Sequence, residues 1–490
     1  MNYSVVKHII GKIMELEGAF MLLPALVALI YREKQGLSFI YVAAGSALIG
    51  FIISRKKPEN MNFYLKEGFV TVALSWIVMS VVGSLPFFIN GDIPNYIDAL
   101  FETVSGFTTT GASILSSVDA LAKCSIFWRS FTHWIGGMGV IVFLLAVLPM
   151  AGGSNMNLMK AESPGPSVGK IVPKIKKTAS ITYLIYISMT VAEFLFLLIG
   201  KMPVFEAICN SMATAGTGGF AVNDAGFFTQ TPYIQWVVTV FMILFGVNFY
   251  VYYLMTIKRF SDAAKHEEAR TYLIIIFVAA GIIAWDIHSL FDTVGEAIRH
   301  SFFQVGSIIT TTGFASADFN AWPVTSQTIL VMLMFIGACA GSTGGGIKVS
   351  RFIILIKTFF KEITSYLHPR SVKKIKLEGK PVEHEVLRST NVYIITFIVL
   401  FTGSMLLISL EGNDLITNFT AVAATINNIG PGLELVGPTA NFGHFNVLSK
   451  LVFIFDMLAG RLELFPILLL FCPSIWIRRR SKREQHNMEA

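Results

Sequence analysis

Ten apolar segments alternate with short polar connections along this chain of 490 residues. A helix that crosses a bilayer needs about 20 mostly apolar residues. The chain is 54% hydrophobic and 14% charged, whereas a soluble domain carries about a quarter charged residues. The sequence therefore predicts an all-α membrane protein with several spans. The apolar segments are 18–31, 37–53, 68–88, 131–150, 181–200, 234–255, 271–285, 329–341, 392–410 and 447–471.

Lysine and arginine residues concentrate in alternate connections, which predicts that those connections are cytoplasmic. With an even number of spans, both termini are then expected inside. Cytoplasmic loops account for the net charge of +7, so a lipid bilayer is the expected partner and nucleic acid is not. The start of the chain lacks a signal-peptide cleavage pattern, and we expect the first apolar segment to be retained. The basic connections are 54–57, Lys160, Lys170, Lys174, Lys176 and Lys177, 258–270, 357–380 and 478–483.

A short apolar run that ends in a glycine turn recurs in each of the four later hairpins. Residues 98–114 include SGFTTTGAS, and residues 301–316 include GSIITTTGFAS. Related runs occupy 205–221 and 418–433. Repeats of this length predict a repeated architecture, and four copies in one context argue against ordinary glycine turns in outer loops. The glycines aligned in this way are Gly111, Gly218, Gly313 and Gly430.

A Thr-Thr-Thr-Gly run can turn backbone carbonyl oxygens toward a common axis, because glycine adopts positive φ without steric cost. Such backbone is tolerated at membrane depth only where it is buried in protein or faces water. Carbonyls from several loops can replace the hydration shell of a monovalent cation, and the negative ends of short helices favour that cation. The predicted ion-binding residues are Thr109, Thr110, Gly111, Thr217, Gly218, Thr311, Thr312, Gly313, Asn428, Ile429 and Gly430.

These motifs resemble the Trk/Ktr/HKT superfamily of potassium transporters, most closely its TrkH-type membrane subunits, over nearly the whole chain. The resemblance implies four M1–P-loop–M2 repeats around one pseudo-fourfold pore, together with an N-terminal helix pair. The pair is expected at 1–60, and the repeats at 61–155, 175–260, 268–362 and 385–480.

The resemblance also implies the function and the partners. We expect uptake of K⁺ across a bacterial inner membrane, with K⁺ in the filter, no covalently bound cofactor and no enzymatic activity. In plant relatives a serine at the first filter position goes with sodium preference, so Gly111 favours K⁺, with Na⁺ as the competing ion. A homodimer and a cytoplasmic TrkA-type nucleotide-binding ring are implied partners, with 357–390 and 478–483 as candidate contacts.

Glycines and small residues interrupt the eighth apolar segment at FIGACAGSTGGGIKVSRF, residues 335–352. A phosphate-binding loop has the pattern GxxxxGK[ST] after a strand, but here Ile347 separates Gly346 from Lys348. A close helix-packing face of small residues is a second interpretation. The resemblance implies a third, an intramembrane gate. Its residues would be Gly341, Ser342, Thr343, Gly344, Gly345, Gly346 and Lys348.

Charges inside the last apolar segment are a further functional signal, because intramembrane charges usually face a pore or a partner. The resemblance places Arg461 below the filter and beside the gate, hydrogen-bonded to loop carbonyls. Asp456 or Glu463 could neutralise it, or Asp456 could face the pore. The acidic residues at the short helices, Glu102 and Glu206, are interpreted as caps or vestibule charges.

Two other function classes were considered. A symporter coupled to protons or sodium would need a titratable residue on the ion path, for which Asp456 is the candidate. A membrane-embedded enzyme would need clustered catalytic residues, and the chain has no HExxH and no nucleophile elbow. His133 and Trp134 are interpreted as packing residues and not as metal ligands, and the four cysteines have no CxxC spacing.

Overall fold

The computed structural model describes residues 1–58, 65–139, 175–369 and 374–476, and most of these residues are helical. The chain opens with α1 (Tyr3–Phe20) and α2 (Leu22–Tyr31), which form one apolar span, followed by α3 (Gly36–Ser54). Helices α1 and α3 pack closely at two glycines. A methyl group at Gly11 would lie 2.7 Å from the carbonyl oxygen of Gly50, and so only a glycine permits this contact.

Four units then follow, each with a first helix, a short helix and a second helix. The first unit contains α4 (Leu65–Asn90), α5 (Tyr96–Phe107) and α6 (Lys123–Met138). The second contains α7 (Ile175–Ile199), α8 (Val204–Gly216), α9 (Pro232–Phe245), α10 (Phe249–Thr256) and α11 (Phe260–Ala264). The third contains α12 (Glu267–Asp286), α13 (Val294–Ile309), α14 (Val324–Ile336) and α15 (Val349–Leu367). The fourth contains α16 (His384–Ser409), α17 (Leu415–Ile426), α18 (Val447–Arg461), α19 (Phe465–Leu470) and α20 (Pro473–Trp476).

Small elements complete the described chain. Three 3₁₀ turns lie at His288–Leu290, Phe319–Ala321 and Glu434–Val436. Strands β1 (Lys376–Leu377) and β2 (Lys380–Pro381) pair antiparallel in a hairpin between the third and fourth units. This hairpin is the one departure from the all-α prediction within the described residues.

The short helices α5, α8, α13 and α17 contain 12, 13, 16 and 12 residues. At 1.5 Å per residue they reach about 18 to 24 Å, less than the roughly 30 Å of a bilayer core. Three of them have an N-cap residue whose side chain accepts a hydrogen bond from a backbone N–H of the first turn. These N-caps are Asn95, Thr293 and Asp414. The sequence prediction of short apolar runs that do not span is therefore confirmed.

The protein is a multi-pass membrane protein, but its second helices are less regular than the sequence predicted. Six described helices are long and apolar enough to span, or seven if the pair α9 and α10 counts as one. That pair bends by 91° at its break, so the prediction of one continuous helix over 234–255 is wrong. The last segment also breaks, between Arg461 and Phe465. The predicted interruption after the eighth segment is confirmed, because residues 337–348 are non-helical.

Some predicted features lie outside the described residues. These are the second half of the 131–150 segment, Lys160, Lys170, Lys174, residues 370–373 of the long basic connection and the basic run 478–483.

The loops on the side of the short-helix hairpins bond to one another across units. The hydroxyl of Ser117 donates to Asp224 at 2.6 Å, which joins the first unit to the second. The Asn320 side chain accepts from the backbone N–H of Glu434 at 3.0 Å and joins the third to the fourth. The backbone N–H of Phe442 donates to the Ser113 carbonyl at 2.8 Å, which joins the fourth to the first. These bonds connect loops from all four units.

Candidate functional site

Each short helix is followed by a segment with the same unusual backbone. A non-glycine residue with positive φ comes first, and a glycine with positive φ stands two positions later. The intervening residue is not among those with positive φ, so the sign of φ alternates. The first positions are Thr109 (55°), Thr217 (53°), Thr311 (59°) and Asn428 (56°). The second positions are Gly111 (79°), Gly219 (80°), Gly313 (84°) and Gly430 (101°).

This backbone corrects the sequence alignment of the second segment by one residue. The sequence aligned Gly218 with Gly111, but the residue two positions after Thr217 that has positive φ is Gly219. Helix α8 ends at Gly216 and its C-cap Thr217 is left-handed, so the turn is completed at Gly219. Gly218 therefore occupies the position of Thr110, and neither residue has a positive φ.

The four glycines lie against one another's segments in cyclic order. A methyl group at Gly111 would collide with the carbonyl oxygen of Gly218, in the second segment. The same change at Gly219 would collide with the Thr312 carbonyl, and at Gly313 with the Ile429 carbonyl. At Gly430 it would lie 2.8 Å from the carbonyl oxygen of Thr110, which returns to the first segment. The contacts thus run from segment one to two, three, four and back to one. These four segments are called the filter segments below, for the role proposed for them in the next subsection.

Side-chain hydroxyls and amides in the filter segments form hydrogen bonds within a segment, between segments and to a neighbouring helix. The hydroxyls of Thr108 and Thr110 lie 2.8 Å apart, as those of Thr310 and Thr312 lie 2.7 Å apart. The amide nitrogen of Asn428 donates at 2.9 Å to the hydroxyl of Thr110 and at 2.9 Å to the carbonyl of Met457. Asn428, which departs from the Thr-Thr-Thr-Gly pattern, therefore bridges the fourth segment to the first.

His133 in α6 ties the first short helix to the second filter segment. Its Nδ1 lies 2.8 Å from the Gly106 carbonyl, and the backbone N–H of Phe220 donates to its Nε2 at 3.3 Å. Trp134 points elsewhere and donates to the hydroxyl of Thr190 at 3.3 Å. The two residues do not form a ligand pair, and His133 contributes hydrogen bonds beyond the packing role that the sequence suggested.

A buried ion pair joins α5 and α6, the helices before and after the first filter segment. Glu102 and Arg129 are 1% and 2% exposed, and their charged groups lie 2.8 Å apart. Glu102 also accepts from the hydroxyl of Ser113 and the N–H of Ile114, each at 3.0 Å. The guanidinium of Arg129 lies over the Phe220 ring, 4.0 Å from its centroid.

The interpretation of Glu102 as a cap or vestibule charge is thus wrong, because it lies in the buried interior of α5. Glu206, by contrast, stands in the first turn of α8, where a capping charge is expected. Arg129 was missed by the sequence reasoning. Its isolation in the apolar run around residue 129 was the available signal, since a charge in such a helix requires a partner.

The non-helical loop 337–348, called the gate loop below for the role proposed for it, lies directly against the third and fourth filter segments. The N–H of Gly345 donates to the Thr311 hydroxyl at 2.6 Å. A methyl group at Gly345 would lie 2.6 Å from the Asn427 carbonyl, and one at Gly344 would lie 2.8 Å from the Thr310 carbonyl. The loop leaves a helix, not a strand, so the setting of a phosphate-binding loop is missing here.

The gate loop is also bonded to the break between α9 and α10. The N–H of Cys339 donates to the Gly246 carbonyl at 3.0 Å, and the N–H of Phe249 donates to the Gly341 carbonyl at 3.0 Å. Thr343 is fully buried and its hydroxyl donates to the Phe245 carbonyl at 3.3 Å. Lys348, at the end of the loop, donates to the carbonyl of Gly344. Ser342 closes a local turn through the Cys339 carbonyl, 2.6 Å away.

Arg461 joins the gate loop to the first unit. Its guanidinium donates to the carbonyl of Thr343 at 2.9 Å and to that of Gly137 at 2.9 Å. It also donates to the carbonyl of Gly136. A planar guanidinium with five donors is suited to such a bridge between separate carbonyls.

The two acidic residues near Arg461 have other partners, which corrects the idea that either is its counter-ion. Glu463 forms an ion pair with Arg351 of α15. Asp456 is fully buried and accepts a hydrogen bond from the Ser404 hydroxyl at 2.7 Å. That contact lies between α18 and the first helix of the same unit, so it does not favour Asp456 as a proton site on an ion path.

A family model described as TrkH, cation transport protein, matches residues 38–279 and 286–478. The chain belongs to the TrkH family. The Trk system potassium uptake protein TrkH of Salmonella typhimurium is 37% identical over 97% of this chain and 100% of its own length. The Trk system potassium uptake protein TrkG of Escherichia coli is 33% identical over 97% and 99%.

A solved structure agrees with the fold as well. The crystal structure of the potassium transporter TrkH from Vibrio parahaemolyticus matches with a TM-score of 0.86 and 33% sequence identity. The match covers 97% of this chain and 100% of the TrkH chain in that crystal structure. The family consists of transport proteins, not enzymes, which confirms that part of the sequence prediction and excludes the membrane-embedded enzyme.

Proposed function

We propose that this chain takes up K⁺ across a bacterial inner membrane through a channel-like pore. The filter segments around Gly111, Gly219, Gly313 and Gly430 would select the ion. One observation carries the proposal: four segments with the same alternating backbone contact each other in a closed cycle. The relatives named as potassium uptake proteins over nearly their whole length support the choice of ion.

The chemistry of the segments suits a dehydrated monovalent cation. Alternating signs of φ turn successive peptide groups so that carbonyl oxygens can face one side, and rings of carbonyls replace the hydration shell of K⁺. The short helices end at the filter segments, where their partial negative charge favours a cation. Divalent cations prefer carboxylates, and the described residues contain no group of three His, Cys, Asp or Glu side chains that could hold a metal.

The same contacts support a more detailed proposal for the architecture. The four units would be M1–P-loop–M2 repeats about a pseudo-fourfold axis, within 61–155, 175–260, 268–362 and 385–480, with 1–60 as an added helix pair. The cyclic order of the filter segments supports this arrangement. Both termini would be cytoplasmic. A second copy of the chain and a TrkA-type cytoplasmic ring remain the proposed partners.

The gate loop would control passage below the filter. It lies against the Thr310, Thr311 and Asn427 positions and is joined to the first unit through Arg461. Loss of its contacts with the filter segments would let the loop withdraw. The ion path would then be continuous from the filter to the cytoplasm.

Rubidium uptake into proteoliposomes loaded with KCl tests the proposal. We expect uptake that external KCl blocks at a lower concentration than NaCl, and faster uptake after deletion of Gly344–Gly346. Equal block by both salts would contradict a K⁺ filter. Uptake that requires an imposed proton or sodium gradient would instead indicate the symport alternative.

A further inference from the structure

A single buried carboxylate holds both ends of the gate loop. Glu268 lies near the start of α12, and its side chain is 3% exposed. Its Oε1 accepts from the N–H of Ala340 at 2.6 Å and from the N–H of Ser350 at 3.1 Å. Ala340 lies in the loop and Ser350 in the first turn of α15, directly after it. The carboxylate therefore draws the entry and the exit of the loop together.

The second carboxylate oxygen of Glu268 accepts from the side-chain amide of Asn248, and the orientation of that amide is fixed. The amide nitrogen of Asn248 donates to Oε2 at 3.3 Å. The other atom of that amide, Oδ1, accepts from the N–H of Tyr250 at 2.9 Å and caps α10. The amide cannot turn around without losing this cap. All three groups around Glu268 are thus donors, which an ionised carboxylate satisfies and a glutamine does not.

The cytoplasmic hairpin β1–β2 caps the helix that carries Glu268. The turn between the strands places Glu378 (φ 52°) and Gly379 (φ 72°) in the left-handed region, as a two-residue hairpin requires. The carboxylate of Glu378 accepts from the N–H of Glu267 at 3.0 Å and from the N–H of Glu268 at 3.1 Å. These are backbone donors of the first turn of α12, which have no partner inside the helix.

The same hairpin bonds to the helix that follows the gate loop. Lys357 of α15 donates to the Lys376 carbonyl in β1 at 2.7 Å and pairs with the carboxylate of Glu267. The N–H of Glu378 donates back to Glu267 at 3.2 Å. The hairpin therefore contacts both α12 and α15, the two helices between which the gate loop is held.

We propose that Glu268 is the positioning residue of the gate loop, and that the hairpin β1–β2, through Glu378, keeps Glu268 in place. The inference rests on the proposed gate function of residues 337–348. Displacing the hairpin removes the cap of α12, shifts Glu268 and frees both ends of the loop. A cytoplasmic event at the hairpin is thereby coupled to the filter, to which Gly345 is bonded.

The test compares single substitutions in proteoliposomes without any partner protein, with rubidium uptake as the readout. Glu268→Gln is expected to raise basal uptake on the order of tenfold, a usual size for coupling between sites. Glu378→Gln, at a half-buried cytoplasmic position, is expected to raise basal rubidium uptake as well. Glu385→Gln, the same change at an exposed residue in the first turn of α16, is the control and is expected to leave uptake unchanged.

Two further measurements separate positioning from general damage. The K⁺ over Na⁺ preference of the variants is expected to match wild type, because the filter segments are untouched. In a chain that lacks Gly344–Gly346, Glu268→Gln is expected to add nothing, since the part of the loop that contacts the filter segments is gone.

The outcomes distinguish this inference from the gate itself. If the deletion raises uptake but neither Glu268→Gln nor Glu378→Gln does, the inference is overturned and the gate stands. If the deletion has no effect, the gate fails and the inference with it. If Glu268→Gln does not fold, Glu378→Gln alone decides, and wild-type uptake in that variant overturns the inference.

Discussion

The guanidinium of Arg461, at the end of α18 in the fourth unit, donates a hydrogen bond to the carbonyl oxygen of Thr343 in the gate loop at 2.9 Å. The two residues are 118 positions apart in the chain. A second bond, to the Gly137 carbonyl, places the same side chain on the first unit. Arg461 therefore connects the gate loop, in the third unit, to the first and fourth units.

Replacing Arg461 should loosen the gate loop. Arg461→Gln removes a cation whose hydrogen bonds to carbonyls are worth about 1.5–3 kcal/mol each. We expect higher basal rubidium uptake in the absence of a partner, and Arg461→Lys should give an intermediate rate, because a lysine cannot bridge separate carbonyls as a guanidinium does. Arg259→Gln serves as the control, because Arg259 is exposed and pairs within its own turn with Asp262. Equal rates of basal rubidium uptake in all variants would show that Arg461 does not hold the gate loop in place.

The corrected register of the second filter segment can be tested by glycine substitution. Gly219→Ala combines positive φ with a collision against the Thr312 carbonyl, and strain of this kind costs about 1–3 kcal/mol. We expect loss of K⁺ preference and of rubidium uptake. Gly403→Ala, in α16 with open space around the added methyl group, is expected to behave as wild type. Normal competition by K⁺ in Gly219→Ala would contradict the assignment.

The buried pair of Glu102 and Arg129 should dominate local stability. Removing one partner of a buried ion pair leaves an uncompensated charge and costs about 3–5 kcal/mol. Arg129→Met is therefore expected to lower the thermal unfolding temperature in detergent strongly. Lys12→Met breaks the partly exposed pair with Glu15 and should cost no more than about 1 kcal/mol. Similar melting temperatures for the two variants would show that the first pair is not critical.

The hydrogen bonds of Asn428, which connect the fourth filter segment to the first, should contribute to ion preference. Asn428→Ala removes the bonds to the Thr110 hydroxyl and the Met457 carbonyl, each worth about 1 kcal/mol. The fourth segment should loosen relative to the first, and Na⁺ should compete better against rubidium. Asn413→Ala, the same change at a half-buried position outside the filter segments, provides the comparison. Identical Na⁺ competition in both would remove Asn428 from the filter support.

The sequence was informative where a local pattern had one physical cause. Four short apolar runs with glycine turns indicated short helices followed by turns at glycines with positive φ, because few backbones fit that pattern in a membrane. The five glycines of residues 335–352 indicated the break before Lys348 in the same way.

The sequence failed where contacts between units decide the structure. The bend before Asn248 and the break near Glu463 occur in apolar runs with little local signal, and they are held by bonds to distant residues. The partner of Glu102 lies on another helix, and no spacing rule identifies it. In the second segment two adjacent glycines gave two possible registers, and only the backbone of Thr217 selects Gly219.

The most direct test of the central claim is the ratio of NaCl to KCl concentrations that halve rubidium uptake, measured in Gly111→Ser and in wild type. A side chain at Gly111 would meet the Gly218 carbonyl, so it would disturb the ring between two units. We predict a ratio well above one for wild type that falls toward one in Gly111→Ser, while Gly403→Ser stays at the wild-type value. An unchanged ratio in Gly111→Ser would contradict a filter built from these four segments.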